Sequence, residues 1–350
     1  MTCVAHGVFC NTWNVFLNEK STNMKNILIT GAAGYIGSHI ALLFARNNFK
    51  VIGLDFLQHA ALSAHPGIIL VQGNCTDPKI VDEIFKKHEI HAIIHCASFI
   101  EVSESVTNPD SYYQNNISTA QTMLNAARKH GTKNFILSSS CAVYGAPQRL
   151  PLDENHPTNP MSPYGKTKRI IEWMMEDFSQ AYGLKTVALR FFNAAGSWDE
   201  FGLGENHIPE SHLIPRLISA ALEKRPIEIF GTDYPTPDGT CIRDFISVAD
   251  IAQAHLLTLR YLEQAGPSNA FNLGSARGYS IKQIISELEY ILNTTIATTL
   301  RPRRPGDPAI LVADASRAKA ILGWHATEPI KAILQQALAW HLKMQKAQSF

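Results

Sequence analysis

The sequence of 350 residues lacks several features that would indicate its class directly. Its six cysteines lie far apart and form no Cys-x-x-Cys pair, which argues against a disulfide framework or a zinc site. No apolar run reaches the ~20 residues that a membrane-spanning helix needs. The 31 basic and 30 acidic residues nearly cancel and form no block of one sign. We therefore expect a protein of the reducing cytoplasm, with no nucleic-acid or membrane partner.

The first 23 residues lack any recognisable pattern. They have neither the basic start nor the continuous apolar stretch of a signal peptide, because asparagines interrupt the apolar positions. The first strand-like run begins at Lys25, directly after Met24. We expect Met24 to be the native start and residues 1–23 to be a disordered extension or an artefact of gene prediction. An intact peptide from residues 1–23 in mass spectra of the native protein would refute this.

From Met24 onward, short apolar runs alternate with longer helical patterns. This alternation predicts an α/β fold of the Rossmann type, a doubly wound parallel sheet covered on both faces. After about Asn193 the alternation loosens, and loops rich in Gly, Pro and Asp appear. We predict a dinucleotide-binding domain over residues 24–193 and a smaller mixed α/β substrate-binding domain over residues 194–350. The predicted strands are Ile27–Thr30, Val51–Asp55, Ile68–Val71, Ala92–Cys96, Phe135–Ser138 and Thr186–Leu189.

A glycine loop follows the first predicted strand. Gly31, Gly34 and Gly37 lie between this strand and a helix, where backbone N–H groups and the helix dipole favour a pyrophosphate. Their spacing, Gly-x-x-Gly-x-x-Gly, differs from the Gly-x-Gly-x-x-Gly fingerprint. Asp55 ends the next strand, 18 residues after Gly37 and close to the ~20 expected for a ribose-binding acid. A carboxylate there favours NAD over NADP; the alternative is a solvent-facing acid at a strand end.

A candidate base lies in the second half of this region. Tyr164 and Lys168 are four residues apart, so on a helix they share one face. A nearby ammonium group and a nicotinamide cation would favour the phenolate form of the tyrosine. Ser140 ends the strand before them and can bond both a substrate oxygen and Tyr164. The alternative for the run Ser138–Ser140 is ordinary turn chemistry at a strand end.

With these residues in place, the chain resembles the extended short-chain dehydrogenases/reductases, and within them the UDP-glucose 4-epimerases. The resemblance runs from about Met24 to Trp340. The loop from Phe230 to Phe245 is its most specific part, because a generic dinucleotide enzyme has no need of it. The motifs that carry the resemblance are Gly31–His39, Ser138–Gly145, Ser162–Lys168, Arg190–Gly196, Phe230–Thr236, Asp238–Thr240, Arg243–Phe245 and Arg303–Asp307.

The resemblance implies a role for each matching residue. NAD would contact Gly31, Gly34, Tyr35, Ile36, Gly37, Asp55, Asn115, Tyr164 and Lys168. UDP-hexose would contact Ser140, Tyr164, Asn193, His212, Leu213, Phe230, Arg243, Arg304 and Asp307. Ser140, Tyr164 and Lys168 would carry the chemistry, while the two arginines would hold the diphosphate. Planar, permanently charged donors suit that dianion.

The implied reaction interconverts UDP-galactose and UDP-glucose through a transient 4-keto sugar. Tyr164 would take the proton of the sugar 4-hydroxyl while the C4 hydride passes to NAD; the ketone would then turn over and take the hydride back on its other face. Since NAD is regenerated in each cycle, it should behave as a tightly held prosthetic group.

Some positions depart from the family pattern. Asn74 stands where an acid often lies near the adenine, and Ile100 where some members have a lysine. Leu311 falls near the position whose size decides whether an N-acetyl group fits. No metal is expected, because His91 and His95 are poorly spaced to share one.

Other functions remain open at this stage. A UDP-N-acetylglucosamine 4-epimerase, or a UDP-glucuronate epimerase or decarboxylase, would share the fold. A 4,6-dehydratase would need an Asp-Glu pair where the chain has Cys141-Ala142. A non-catalytic NAD-binding regulator could dispense with the tyrosine and the arginines. The resemblance also implies a homodimer formed through helices around 109–130 and 163–182.

Overall fold

The computed structural model describes residues 24–304 and 307–348, so the expectation for residues 1–23 lies outside the described residues. The strands are β1 (Asn26–Thr30), β2 (Lys50–Asp55), β3 (Ile68–Gln72), β4 (Ile90–His95), β5 (Asn134–Ser140), β6 (Lys185–Phe191), β7 (Asn193–Ala195), β8 (Ile227–Phe230), β9 (Ile242–Ser247), β10 (Asn269–Leu273), β11 (Gly278–Ser280), β12 (Thr298–Arg301) and β13 (Ile310–Leu311). The helices are α1 (Tyr35–Arg46), α2 (Ala60–Ser63), α3 (Pro78–Lys87), α4 (Val102–Thr107), α5 (Pro109–Tyr112), α6 (Ser118–His130), α7 (Pro163–Tyr182), α8 (Leu213–Leu222), α9 (Val248–Glu263), α10 (Ile281–Leu292), α11 (Ser316–Leu322) and α12 (Ile330–Gln348).

A parallel sheet of seven strands forms the centre of the molecule, in the order β10-β6-β5-β4-β1-β2-β3. The predicted doubly wound fold is therefore confirmed. Each of the six predicted strands has its counterpart in this sheet. The seventh strand, β10, follows the predicted boundary near Asn193 and pairs with β6. The division of the chain at that residue stays a prediction.

The alternation of side chains along the strands explains the two layers of helices. Ile27 and Ile29 of β1 belong to one buried cluster with residues of α1, α9 and α11. Leu28, between them, belongs to a second cluster with residues of α3, α6 and α7. Because successive side chains of a strand point to opposite faces, one apolar strand serves both layers.

Local sequence signals set the starts of two helices. The Asp77 carboxylate accepts the N–H of Lys79 at 2.9 Å, and Pro78 is the first residue of α3. The Ser162 hydroxyl accepts the N–H of Gly165 at 3.1 Å at the start of α7. Both are N-caps that satisfy a helix N–H without an intrahelical partner. The second cap fixes the register of the helix that carries Tyr164 and Lys168.

Smaller elements lie beyond the main sheet. Strand β9 pairs with β7 and β13 in parallel and with β11 in antiparallel orientation, and β8 pairs with β12. A separate buried cluster joins α8, α10 and α12 to these strands. The predicted mixed α/β character of the C-terminal half is thus present. Within the described ranges, none of the helices combines the length and apolarity needed to cross a membrane.

Candidate active site

The glycine loop forms a tight turn between β1 and α1. Gly31 has φ +69°, and a Cβ added there would lie 2.7 Å from the Ala97 nitrogen. A Cβ on Gly37 would lie 2.0 Å from the Gly31 carbonyl oxygen. These two glycines are required by close backbone approach. Gly34 differs, because its only close neighbour would be the Gly31 oxygen, at 3.4 Å. Its surroundings leave room for a ligand.

The buried Asp55 carboxylate supports this loop. Its two oxygens accept the N–H groups of Ala33 at 2.9 Å and Leu57 at 3.0 Å. The acid therefore lies directly beside the loop, at the carboxyl end of β2, as a ribose-binding residue would. A dinucleotide fits this arrangement of three features. They are the open space at Gly34, the free N–H groups at the start of α1 and the Asp55 carboxylate.

Two predicted cofactor residues follow Gly34 on α1. The Tyr35 hydroxyl donates to the Gly196 carbonyl oxygen at 2.8 Å, so its side chain ties α1 to the segment after β7. Burial raises the pKa of Tyr35 well above its ordinary value, so it stays protonated. Ile36 is partly buried against the adjacent core. The backbone N–H groups of both residues remain available for an anion.

Tyr164 is buried in the first turn of α7, near the end of β5. Burial raises the pKa of its phenol to about 12, while the hydrogen bond with the Ser140 side chain opposes that rise. Ser140 Oγ also accepts the N–H of Ala142 at 3.1 Å, which fixes the rotamer of the serine. The Ser140 side chain therefore stands beside the Tyr164 phenol, and its predicted role toward the substrate stays a prediction. In the protein alone, however, burial outweighs this help, and the phenol is protonated at neutral pH.

Lys168 lies one helical turn further along α7 and is almost completely buried. Its Nζ donates to Ser98 Oγ at 2.8 Å and to the Ser138 carbonyl oxygen at 2.9 Å. Burial lowers the pKa of this amine to about 8. Nζ lies 5.9 Å from the centre of the Tyr164 ring, and its hydrogen bonds go to the two serines. The lysine thus stands beside the tyrosine, anchored to the ends of two strands.

A hydrogen-bonded chain continues beneath the lysine. Ser138 Oγ lies 2.9 Å from His255 Nε2 and 3.1 Å from Cys96 Sγ, and His255 Nδ1 lies 2.8 Å from the Ile251 carbonyl oxygen. Burial lowers the pKa of His255 to about 4, so its neutral ring donates from Nδ1 and accepts at Nε2. This arrangement holds Ser138, and with it the carbonyl oxygen that Lys168 uses.

Two consecutive asparagines lie in a π-helical turn, Tyr113–Ile117, between α5 and α6. The buried Asn116 accepts the N–H of Phe99 at 2.7 Å and donates to Thr167 Oγ1 at 3.1 Å. The predicted cofactor residue, Asn115, donates its amide to Asn116 Oδ1 at 3.0 Å. Such turns are frequent at functional sites. Asn115 stays a predicted cofactor residue, and the buried Asn116 that holds it was not predicted, although the Asn-Asn pair was the available signal.

Four of the predicted substrate residues form two close pairs. Arg243, on β9, pairs with Asp307 through its Nη2 and also donates to the Ile242 carbonyl oxygen at 2.8 Å. The Arg304 guanidinium lies 4.1 Å from the centre of the Phe230 ring, at the end of β8. A planar cation over a ring and a second arginine beside a carboxylate supply the charge and surface that a nucleoside diphosphate requires.

The other predicted substrate residues occupy different surroundings. Asn193, at the start of β7, donates to the Asp244 carbonyl oxygen at 2.9 Å and thereby links β7 to β9. His212 is the N-cap of α8 and Leu213 its first residue. The His212 side chain pairs with Glu205 and Glu210. Burial alone would lower the pKa of its ring, but the two acids, Glu205 above all, outweigh burial and raise it to about 9.

The two histidines considered as metal ligands bond different partners. His91 Nε2 pairs with Glu263 at 2.8 Å, while His95 Nδ1 bonds Thr30 Oγ1 at 2.8 Å. Burial lowers the pKa of His95 to about 3, with Lys168 adding to the effect. Cys141, next to Ser140, is partly buried, and desolvation raises the pKa of its thiol to about 12, which fits a packed residue and not a nucleophile.

Comparison with known proteins confirms the class of fold. The chain belongs to the NAD dependent epimerase/dehydratase family, whose pattern matches residues 27–274. The UDP-glucose 4-epimerase of Halalkalibacterium halodurans is 43% identical over 317 residues, covering 90% of this chain and 95% of that protein. The crystal structure of UDP-glucose 4-epimerase from Brucella ovis in complex with NAD superposes with a TM-score of 0.86 and 43% identity, covering 90% and 97% of the two chains. The enzyme of Bifidobacterium longum, in complex with NAD+ and UDP, gives 0.86 at 33% identity, covering 91% and 98%.

Proposed function

We propose that the protein is an NAD-dependent UDP-glucose 4-epimerase, which interconverts UDP-galactose and UDP-glucose. The observation that carries the proposal is the buried group of Ser140, Tyr164 and Lys168 at the carboxyl ends of β4 and β5, in a chain 43% identical to a UDP-glucose 4-epimerase over 90% of its length. Bound NAD supplies the acceptor and donor of the hydride at the sugar C4. The remaining steps belong to side chains of this protein.

The proton of the sugar 4-hydroxyl passes to Tyr164 Oη, and Ser140 Oγ holds both oxygens in line. Since the tyrosine is protonated in the protein alone, its ionisation must be favoured by bound cofactor; a nicotinamide cation has the required charge. Lys168, held by Ser98 and the Ser138 carbonyl oxygen, positions the nicotinamide ribose. Tyr164 returns the proton once the ketone has presented its other face.

The nucleotide binds through the C-terminal half of the site. Arg243 and Arg304 neutralise the diphosphate, and Asn193 supports the same region from β7. Phe230 lines the uracil side, Asp307 contacts the uridine ribose, and the backbone at His212 and Leu213 contributes further contacts. Without substrate, the Arg243 guanidinium is paired with Asp307. The diphosphate of the bound substrate replaces part of this contact. Most of the affinity then resides in UDP, which leaves the hexose free to turn.

Conversion of UDP-galactose to UDP-glucose by purified protein, without added NAD, tests the function. We expect turnover by wild type and a loss of about a hundredfold or more in Tyr164→Phe. Tyr290→Phe, which removes an exposed hydroxyl far along the chain, serves as the control and should retain activity. No turnover with NAD still bound would reject this substrate. Absence of both turnover and NAD binding would reject the proposal as a whole.

The same assay decides between substrates. Leu311 is partly buried on β13 and defines no clear preference at C2. Turnover of UDP-N-acetylgalactosamine would extend the function to N-acetylated sugars. Turnover of UDP-glucuronate alone would replace UDP-hexose as the proposed substrate. Since no observation favours these alternatives or a non-catalytic regulator, UDP-hexose remains the proposed substrate.

We further propose a homodimer that works in the cytoplasm. Helix α7 exposes half of the Trp173 side chain, and α4, packed against it, exposes Val102 and Val106. Apolar side chains on adjacent helices suit an interface between copies. Gel filtration should give twice the chain mass, with Trp173→Glu shifting it to the monomer. Fractionation of native cells that recovers the protein outside the cytoplasm would contradict the location.

A further inference from the structure

A second cluster of ionisable side chains lies in the loop before α8. Glu205, His207, Glu210 and His212 each offer one donor atom, and these four atoms lie within 4.8 Å of one another. Glu205 Oε1 accepts from His207 Nδ1 at 3.2 Å and from His212 Nδ1. His212 Nδ1 also lies 3.7 Å from Glu210 Oε1. Two imidazoles and two carboxylates therefore converge within eight residues of sequence.

The surrounding structure holds the two carboxylates in place. The Glu205 side chain is only 5% exposed, and its backbone carbonyl oxygen accepts Trp340 Nε1 at 2.6 Å. Glu210 Oε1 accepts the N–H groups of Ser211 and His212, each at 2.8 Å. The acids thus have fixed positions on a loop that is attached to α12. The imidazoles lie nearer the surface, with side chains 29% and 42% exposed.

We propose that these four side chains bind a divalent transition-metal cation of the zinc type. Two imidazole nitrogens and two carboxylate oxygens match the ligands and coordination number that zinc takes in proteins. Imidazole is a poor ligand for Mg²⁺ and Ca²⁺, which prefer oxygen throughout. Around zinc, ligand atoms ~2.1 Å from the metal lie about 3.4 Å apart. The widest separations in the cluster must therefore contract, and the short contact between Glu205 and His212 must open.

The role of such a cation follows from its position. It would take the place of the protons now shared between the imidazoles and the buried Glu205, and would bind the loop of residues 205–212 together at the start of α8. Because the metal binds the folded arrangement and not the unfolded chain, it should stabilise the protein. The proposal goes beyond the proposed function and does not depend on it.

Titration of tag-free, metal-free protein with ZnCl₂ in a calorimeter tests the site. We expect one Zn²⁺ per chain in the wild type, binding at least tenfold weaker in His207→Ala and Glu205→Gln, and no binding of Mg²⁺ from MgCl₂. His325→Ala removes one exposed imidazole elsewhere and should leave the titration unchanged. Zn²⁺ should also raise the melting temperature of wild type and not that of His207→Ala.

A further variant guards against simple misfolding. In Glu210→Gln the side-chain oxygen can still accept the two backbone N–H groups, so the loop should fold while zinc affinity falls at least tenfold. Less than one Zn²⁺ per wild-type chain, or equal affinity in wild type and the three cluster variants, would overturn the proposal. Equal loss in His325→Ala would show that the metal binds surface histidines in general, and would overturn it too.

Discussion

Arg190 and Glu172 form a buried two-point ion pair, with Nε–Oε1 and Nη2–Oε2 distances of 3.0 and 2.7 Å. Glu172 follows Lys168 by one turn on α7. The hydroxyl of Ser139, the neighbour of Ser140, donates to the same carboxylate at 2.7 Å. Glu172 therefore links α7, the helix that carries Tyr164, to strands β5 and β6. This link fixes the position of Ser140 relative to Tyr164.

Breaking this pair should cost stability. Glu172→Gln leaves the Arg190 charge buried without a counterion, and we expect the free energy of unfolding to fall by about 3–5 kcal/mol. Glu176→Gln, on the same helix, removes an exposed partner of Arg169 and should change the free energy of unfolding by about 0.5 kcal/mol or less. Urea denaturation measures both. Equal effects in the two variants would contradict a special role for the buried pair.

Lys168 should be essential for turnover, and its neighbour on the helix should not. Replacing it by methionine in Lys168→Met removes the ammonium that Ser98 and the Ser138 carbonyl oxygen hold beside Tyr164. We expect kcat to fall about a hundredfold or more. Lys166→Met, at an exposed position two residues away, is the matched control and should retain most activity. Similar rates in the two variants would exclude the proposed role of Lys168.

The ionisation of Tyr164 should depend on bound cofactor. Its pKa of about 12 in the protein alone lies above its ordinary value, so the phenolate is absent below about pH 11. A nicotinamide cation should lower this pKa, because an opposite charge favours the ionised form. The absorbance difference between wild type and Tyr164→Phe, followed from pH 7 to 11 with and without NAD, reports the phenolate. Tyr290→Phe should give a difference spectrum that NAD does not change. A Tyr164 phenolate at pH 9 without NAD would contradict the expectation.

The glycines of the loop should separate folding from cofactor binding. Gly37→Ala places a Cβ 2.0 Å from the Gly31 carbonyl oxygen and should destabilise the protein. Gly34 has extended backbone and open surroundings, so Gly34→Ala should fold with a change of about 1 kcal/mol or less and bind NAD at least tenfold more weakly. Melting curves and NAD titration distinguish the two. Unchanged NAD affinity in Gly34→Ala would mean that the pyrophosphate lies elsewhere.

The sequence was sufficient for the parts of the molecule that depend on local pattern. Apolar runs predicted the six strands, and Asp77 and Ser162 are local signals for two helix starts. The interactions that hold Lys168 could not be predicted from the sequence. Ser98 bonds Lys168 and His255 bonds Ser138, but each is distant in sequence from its partner, so these contacts form only in the folded chain. The same holds for Arg190 with Glu172. Burial also decided the protonation of Tyr164, and spacing alone contains no information on burial.

The seventh strand of the main sheet sets a condition on how the chain matures. Because β10 adds to the edge beside β6, a nascent chain leaves that edge unpaired until residues 269–273 have emerged from the ribosome. A fragment of residues 24–193 should therefore be digested rapidly by protease, while one of residues 24–280 should resist; equal resistance would contradict this. The half proposed to bind the cofactor is thus the first to be synthesised, but it can be completed only late in translation.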